Sequence, residues 1–375
     1  MTRWLERYKT PALWINPAML TGLVSTLLVL VVIALAGGDP LALARLGPRY
    51  AEGDPQGEPG YDGQFVYYMA RDLRPAQVAP HLDVPAYRYQ RILLPLLVRG
   101  LSLGKPEIIP WMLALLGILA QGAGTWAVAQ LLKDWGVSPW YALVYGLWAG
   151  LLLAVIVDLT EPLAYGLVAG AFLALQRQRK LLGWALLGLA VFAKEVTVLF
   201  VVAVALAYLS ERQWRSALGV SLLTGIPFFL FQLWLWSVFG QPGVGSGGDM
   251  ATPFEWIPFM GIWRIGAFSV QYMIAMLVVF APTIMLPAVW GVWKSLRFWL
   301  AGERNMVVLA LLLNSLIIPF VPFSTFRETG GMLRFACGLV LTIILFAARY
   351  RQRRVLNYCF FWMVLNVFVL KSMII

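Results

Sequence analysis

Runs of about 18 or more apolar residues recur along this whole chain, and a run of that length is what a helix needs to cross the hydrocarbon core of a bilayer. The composition agrees: 61% of the 375 residues are apolar and 13% are charged, against roughly 25% charged in a soluble domain. The chain reads as all-α, one polytopic integral-membrane domain over residues 1–375.

Its formal charge of +11 would suit a nucleic-acid partner if the bases formed one surface. They sit instead in short segments at the ends of apolar runs: Arg3/Arg7/Lys9, Arg177/Arg179/Lys180, Arg212/Arg215, Lys294/Arg297/Arg304 and Arg349/Arg351/Arg353/Arg354. That is the positive-inside pattern, so membrane topology and not nucleic acid accounts for the charge. Cys337 and Cys359 lie in apolar runs and read as small buried hydrophobes. With His81 the lone histidine, most zinc constellations are excluded. His81 itself is expected to be exposed and receives no role. A basic stretch, an apolar run and Ala34-Leu35-Ala36 imitate a cleavable signal peptide. The apolar run is longer than a typical signal core, so a retained first helix is expected.

Placing the basic clusters inside gives a first helix over 17–36 and a long outer loop over 37–106. Further spans follow at 107–132, 139–157, 160–176, 181–193, 196–210, 216–239, 269–293, 305–323, 332–348 and 355–374. That makes about eleven spans, with the N-terminus inside and the C-terminus outside. Segments 181–193 and 196–210 fall short of the roughly 20 residues a bilayer requires. They are expected to form a hairpin with Lys194-Glu195 at its tip, in a cavity open to the outside, because irregular backbone at that depth must face protein or water. Ile92–Leu103, interrupted by Pro95 and Arg99, reads as an interfacial helix. This path puts every acid except Glu6, Asp134, Glu211 and Glu303 on the outer side. Neighbours Lys194-Glu195, Arg327-Glu328 and Arg71-Asp72 then mix both signs there, as a site handling phosphate and sugar hydroxyls requires.

Within the outer loop, Glu58-Pro59-Gly60-Tyr61-Asp62-Gly63-Gln64-Phe65 begins as a turn and continues as a helix through Asp72. Asp62 suits a helix N-cap and equally a general base, and the pattern does not choose between them. Arg88 and Arg91, three apart in Asp83-Val84-Pro85-Ala86-Tyr87-Arg88-Tyr89-Gln90-Arg91, share one face if that segment is helical and suit a pair of phosphate oxygens; snorkelling at headgroups is the plainer reading. Asp158-Leu159-Thr160-Glu161 resembles a capping box, and capping is the reading preferred there. Lys194-Glu195, charged between two apolar half-spans, points to function. Arg327-Glu328-Thr329-Gly330-Gly331-Met332-Leu333-Arg334 offers two guanidinium groups, or a salt bridge that fastens a loop. Gly243–Asp249 reads as a flexible outer loop, since no strand precedes it.

Taken together, Tyr61-Asp62-Gly63-Gln64-Phe65 and Pro85–Leu93, with Thr160-Glu161-Pro162, Lys194-Glu195 and Arg327-Glu328, resemble a family of bacterial membrane proteins of cell-surface glycopolymer formation. That family looks like part of the GT-C glycosyltransferase superfamily, and the aromatic-Asp motif is more distantly similar to that of GPI mannosyltransferases. The two loop motifs are fairly specific; the later ones are short. The resemblance implies a GT-C-like fold in a bacterial plasma membrane. It also implies a polyprenyl-phosphate sugar donor, an acceptor glycan, lipid or protein reached from the outer face, and inverting transfer. A first-loop carboxylate as base maps to Asp62. Arg88, Arg91, Lys194, Arg327 and Arg334 are the candidates for the donor phosphate. Glu58, Tyr61, Gln64, Asp72, Tyr87, Glu161, Glu195 and Glu328 are the supporting candidates, Glu58 and Asp72 as second carboxylates. The loop has no Asp-x-Asp pair, so a divalent metal lacks motif support, and Lys194-Glu195 stands where the family often has Arg-Glu. The competing classes are a lipid-linked saccharide flippase, for which charges near the midplane and an internal repeat would be expected, and a non-catalytic scaffold.

Overall fold

A computed structural model describes residues 16–374. The Arg3/Arg7/Lys9 cluster and the inside placement of the N-terminus lie outside the described residues. Those described form helices, turns and irregular segments, with no strand among them.

The longest elements start and stop where local chemistry dictates. Helix α1 (Pro17–Leu35) opens with Pro17 at its first position and the Asn16 side chain accepting from the Met19 N–H at 3.0 Å, which satisfies one of the free donors of the first turn. The outer loop contains three short helices that matter below: α2 (Gly63–Arg71), α3 (Pro85–Tyr89) and α4 (Leu93–Leu101). The last is amphipathic, burying Leu93, Leu94 and Val98 while Leu96, Leu97 and Leu101 stay exposed, in keeping with the expected interfacial helix. Helix α5 (Ile109–Asp134) is followed by a broken pair, α6 (Pro139–Gly146) and α7 (Ala149–Ile156), bent by 54°.

Next come α8 (Glu161–Gln176), α9 (Lys180–Ala193), α10 (Val198–Ser210) and α11 (Trp214–Phe239). Then α12 (Val270–Leu300) contains a wider π turn at Ala281–Met285, where Pro282 lacks the N–H that an α ladder needs. Helix α13 (Met306–Ile317) precedes a second broken pair, α14 (Thr329–Phe335) and α15 (Cys337–Arg349), bent by 41°, and α16 (Arg353–Lys371) comes last.

Five of these helices, α1, α5, α11, α12 and α16, are each long and apolar enough to cross a membrane, and seven segments qualify if each broken pair counts as one span. The eleven expected segments all correspond to helices. However, α8, α9, α10 and α13 have 16, 14, 13 and 12 residues, below the roughly 20 residues that cross hydrocarbon unaided. Large apolar side chains stay exposed on the outer faces, among them Leu218, Leu222, Phe229, Leu230 and Trp236 of α11. That much outward apolar surface suits lipid and not water.

Close helix contact is made by small residues. A Cβ on Gly124 of α5 would lie 2.9 Å from Gly166 Cα of α8, so only glycines allow this crossing. The two breaks also pack on each other: a Cβ on Gly150 would lie 2.1 Å from the Leu333 carbonyl oxygen, which accepts from Trp148 Nε1 at 2.8 Å. Helix α8 sets the long axis of the charge distribution. Glu161 begins it and Arg177 follows its last residue, and its 16 residues span ~24 Å, short of the ~30 Å of hydrocarbon. Lys194 lies at the Glu161 end. At the Arg177 end lie Asp134, ion-paired to Arg177 at 3.0 Å, and Lys180, which donates to Gln213 at 2.9 Å.

Candidate functional site

The tight fit of Gly63 fixes the start of α2. A Cβ at Gly63 would lie 2.2 Å from the Val157 carbonyl oxygen at the end of α7, so the chain presses against that helix end only because a hydrogen stands there. Gln64 is fully buried and bonds backward, donating to the Pro59 carbonyl at 2.6 Å and accepting from the Gly47 N–H at 3.1 Å. It holds the turn, a role of shape and not of substrate contact. Gly63→Ala is therefore expected to displace the whole Tyr61–Phe65 segment, lowering the thermal midpoint and any Asp62-dependent activity together. An unchanged midpoint would contradict the fit.

Asp62 occupies the N-cap position of α2, yet its side chain makes no cap bond and its backbone is already helical. The carboxylate faces two guanidinium groups instead: Arg88 Nη2 lies 3.0 Å from Oδ1, and Arg334 Nη1 donates to Oδ2 at 3.1 Å. Those residues come from α3 and α14, distant in sequence from Asp62 and from each other. Arg88 also makes two parallel bonds to Asp83, each 2.7 Å, and lies 4.3 Å over the Phe65 ring. Tyr61 donates its hydroxyl to Glu328 at 2.8 Å, beneath the Arg334 guanidinium.

The network continues inward. Arg334 Nη1 lies 3.9 Å from Glu161, which pairs with Lys194 at 2.7 Å. Beside it, Arg91 donates to both Glu195 oxygens at 2.8 and 2.6 Å and to the Tyr87 hydroxyl at 2.6 Å. Arg88 and Arg91 both lie over the Tyr87 ring, at 5.1 and 4.5 Å. Four cations (Arg88, Arg91, Lys194, Arg334) thus meet five carboxylates (Asp62, Asp83, Glu161, Glu195, Glu328) in one cluster.

Burial by itself would raise the Asp62 carboxyl, but Arg88 and then Arg334 outweigh it and hold the group well below the usual carboxylate range. A depressed folded value means that Asp62 contributes stability fully present above its unfolded value of about 4, lost as pH falls through the folded one. In thermal unfolding of the detergent-solubilised protein, the gap between wild type and Asp62→Asn should be constant above about pH 4 and narrow in stronger acid. A gap that widens on acidification would contradict this assignment of charge.

Several sequence candidates lie elsewhere. Glu58 is exposed, and no side-chain contact joins it to the cluster. Asp72 stands at the far end of α2, paired to Arg74 at 2.6 Å and held down at about 2 by that hydrogen bonding. Arg327 is exposed, with its guanidinium 5.6 Å over Phe323 and its carbonyl accepting from Tyr272. The capping box at Asp158 is not formed. Asp158 takes a left-handed φ of 53°, and the Leu159 N–H bonds to the Ala154 carbonyl, which is the Schellman ending of α7. Glu161 is consequently free to pair with Lys194. His81 is half-buried, stacked on Tyr68 with Nδ1 2.6 Å from the Tyr50 carbonyl oxygen, so it packs the loop.

Sequence reading missed Asp83 as a member of the site, although its place five residues before Arg88 is a usable signal. It also missed the reach of the glycine-rich loop. The Asp249 N–H donates to Asp83 Oδ2 at 3.2 Å, and a Cβ on Gly248 would lie 3.0 Å from that oxygen and 3.1 Å from Arg88 Nη2. The loop lies against the cluster instead of standing free, tied at one end to Gln232 and at the other to Ser324.

Among the described residues, no three His, Cys, Asp or Glu side chains come together as a metal-ligand set, and no step below is routed through a metal. Comparison with protein-family models, with curated proteins and with solved structures finds no match to this chain.

Proposed function

We propose that the chain is a GT-C-type glycosyltransferase of about eleven spans in a bacterial plasma membrane. On this reading the ion cluster faces the outside and the base-rich end of α8 faces the cytoplasm, as the positive-inside rule expects. It moves a sugar from a polyprenyl-phosphate donor to a hydroxyl of a cell-surface glycan, lipid or protein acceptor, with inversion. The observation that carries this reading is Asp62 held between Arg88 and Arg334, a carboxylate and phosphate-compatible donors assembled from distant segments.

The chemistry follows from the charges. In the empty site Asp62 is a weak base, because both guanidinium groups stabilise its anion. A donor phosphate competes for Arg88 and Arg334 with bidentate geometry. Once they turn to it, Asp62 regains proton affinity and can accept the acceptor hydroxyl's proton as that oxygen attacks the anomeric carbon. The same cations then stabilise charge growing on the leaving lipid phosphate. Since each cation is already paired, phosphate enters by exchange with a carboxylate. Glu328, 49% exposed and 3.9 Å from Arg334, is the one most easily displaced.

The test is reconstitution of the full chain in liposomes with radiolabelled polyprenyl-phosphate sugars and an envelope acceptor fraction. Label transferred to acceptor is the expected result. Label that crosses the bilayer still attached to its lipid would replace this reading with the flippase.

A further inference from the structure

At the end of the molecule away from the ion cluster, a polar cavity of about 630 Å³ opens where α5 ends, bordered by Glu303 between α12 and α13 and by the turn from α15 to α16. Lys133, Arg349 and Arg351 line it, and none of the three has an ion-pair partner among the described residues. The two acids that share the lining are already engaged: Asp134 by Arg177 at 3.0 Å, and Glu303 by the Tyr350 hydroxyl at 3.1 Å and Asn305 at 3.3 Å. Both partners of Glu303 are neutral, so it still offsets one charge, and among the described residues the three cations leave the cavity with an excess of two positive charges.

A separate observation concerns Trp135 in the same wall. Its ring is half-buried, and its indole Nε1 has no acceptor among the described residues. Arg349 lies 5.9 Å over that ring. Gly136, with φ +69°, lets Arg351 lie along the wall, because a Cβ there would be 3.1 Å from Arg351 Nη2. A ligand able to meet guanidinium and ammonium donors together needs several oxygens and negative charge, which is the description of a phosphate. The cavity lies at the end of α5, beside the Asp134–Arg177 pair and ~24 Å along α8 from Glu161. Basic pockets between membrane helices bind phospholipid headgroups for these reasons.

We propose that this cavity is a phosphate-binding site, for which a phospholipid headgroup and free phosphate are the two sources of that chemistry. The proposal does not rest on sugar transfer. The test measures binding to the purified full chain in neutral detergent, using short-chain phosphatidylglycerol, short-chain phosphatidylcholine and inorganic phosphate as probes. Saturable binding of phosphatidylglycerol or inorganic phosphate is expected, and the tighter of the two identifies the source. Arg349→Gln/Arg351→Gln should weaken it at least tenfold, whereas Arg212→Gln/Arg215→Gln, equal in charge and at the same end, should not. Lys133→Gln at an exposed helix end carries the same test if the double variant fails to fold. No saturable binding of either anion, or an equal loss in the Arg212/Arg215 control, would reduce the cavity to part of a diffuse basic surface and overturn the proposal.

Discussion

Asp62→Asn is expected to lower sugar transfer by about 10²–10⁴, the range that general-base assistance supplies, while the protein stays folded and still binds donor. Asparagine keeps the shape of the side chain and cannot take a proton from a hydroxyl. The fold should survive because neither guanidinium is left alone: Arg88 retains its two bonds to Asp83, and Arg334 retains Glu161 and Glu328 at 3.9 Å. Transfer is measured in liposomes with labelled donor, and donor binding separately by retention of the labelled lipid. Transfer close to wild type in Asp62→Asn would sink the base assignment, whatever became of the rest of the site.

The second large effect is on stability. Glu161 and Lys194 bond at 2.7 Å with side chains only 3% and 10% exposed. Removing one partner of a buried pair leaves a charge without compensation, which typically costs about 3–5 kcal/mol. Glu161→Gln should approach that range, since it strips Lys194 of the carboxylate 2.7 Å away. Lys194→Met should cost less, because Arg334 remains 3.9 Å from Glu161. The double variant should recover much of the loss, as apolar replacements of whole buried pairs often do. Unfolding of all three variants in detergent measures this. Two small, additive single effects would show that the pair is solvated and of little structural consequence.

The helical fold class was legible in the sequence because apolar run length is a local property. The break at Lys194 between α9 and α10 was legible for the same reason, two apolar runs too short to stand alone. Span count was less accessible: short helices such as α8 and the bent pairs depend on packing, which run length does not record. Of the candidates, the fold brings Asp62, Arg88, Arg91, Lys194 and Arg334 into one cluster. Their partners were not readable. Lys194 and Glu195 are adjacent in sequence, as are Arg327 and Glu328, but Lys194 and Glu328 take extended backbone, where successive side chains point to opposite sides. Lys194 pairs across the fold with Glu161, and Glu195 with Arg91. The glycines were visible, but what they touch was not: Gly63 against Val157 and Gly248 against Arg88 are contacts made only in three dimensions.

The near-closure of charge in the cluster also bears on how such a sequence can vary. A lone substitution at Glu161, Lys194, Arg91 or Glu195 passes through a state with an uncompensated buried ion, so these positions are not free to drift one at a time. Between diverged copies of this chain, acid and base should be exchanged or lost in couples, Glu161 with Lys194 and Arg91 with Glu195, while Arg327 and Glu58 vary independently. Heritable change in this site is constrained pair by pair, and the unit inherited is the ion pair.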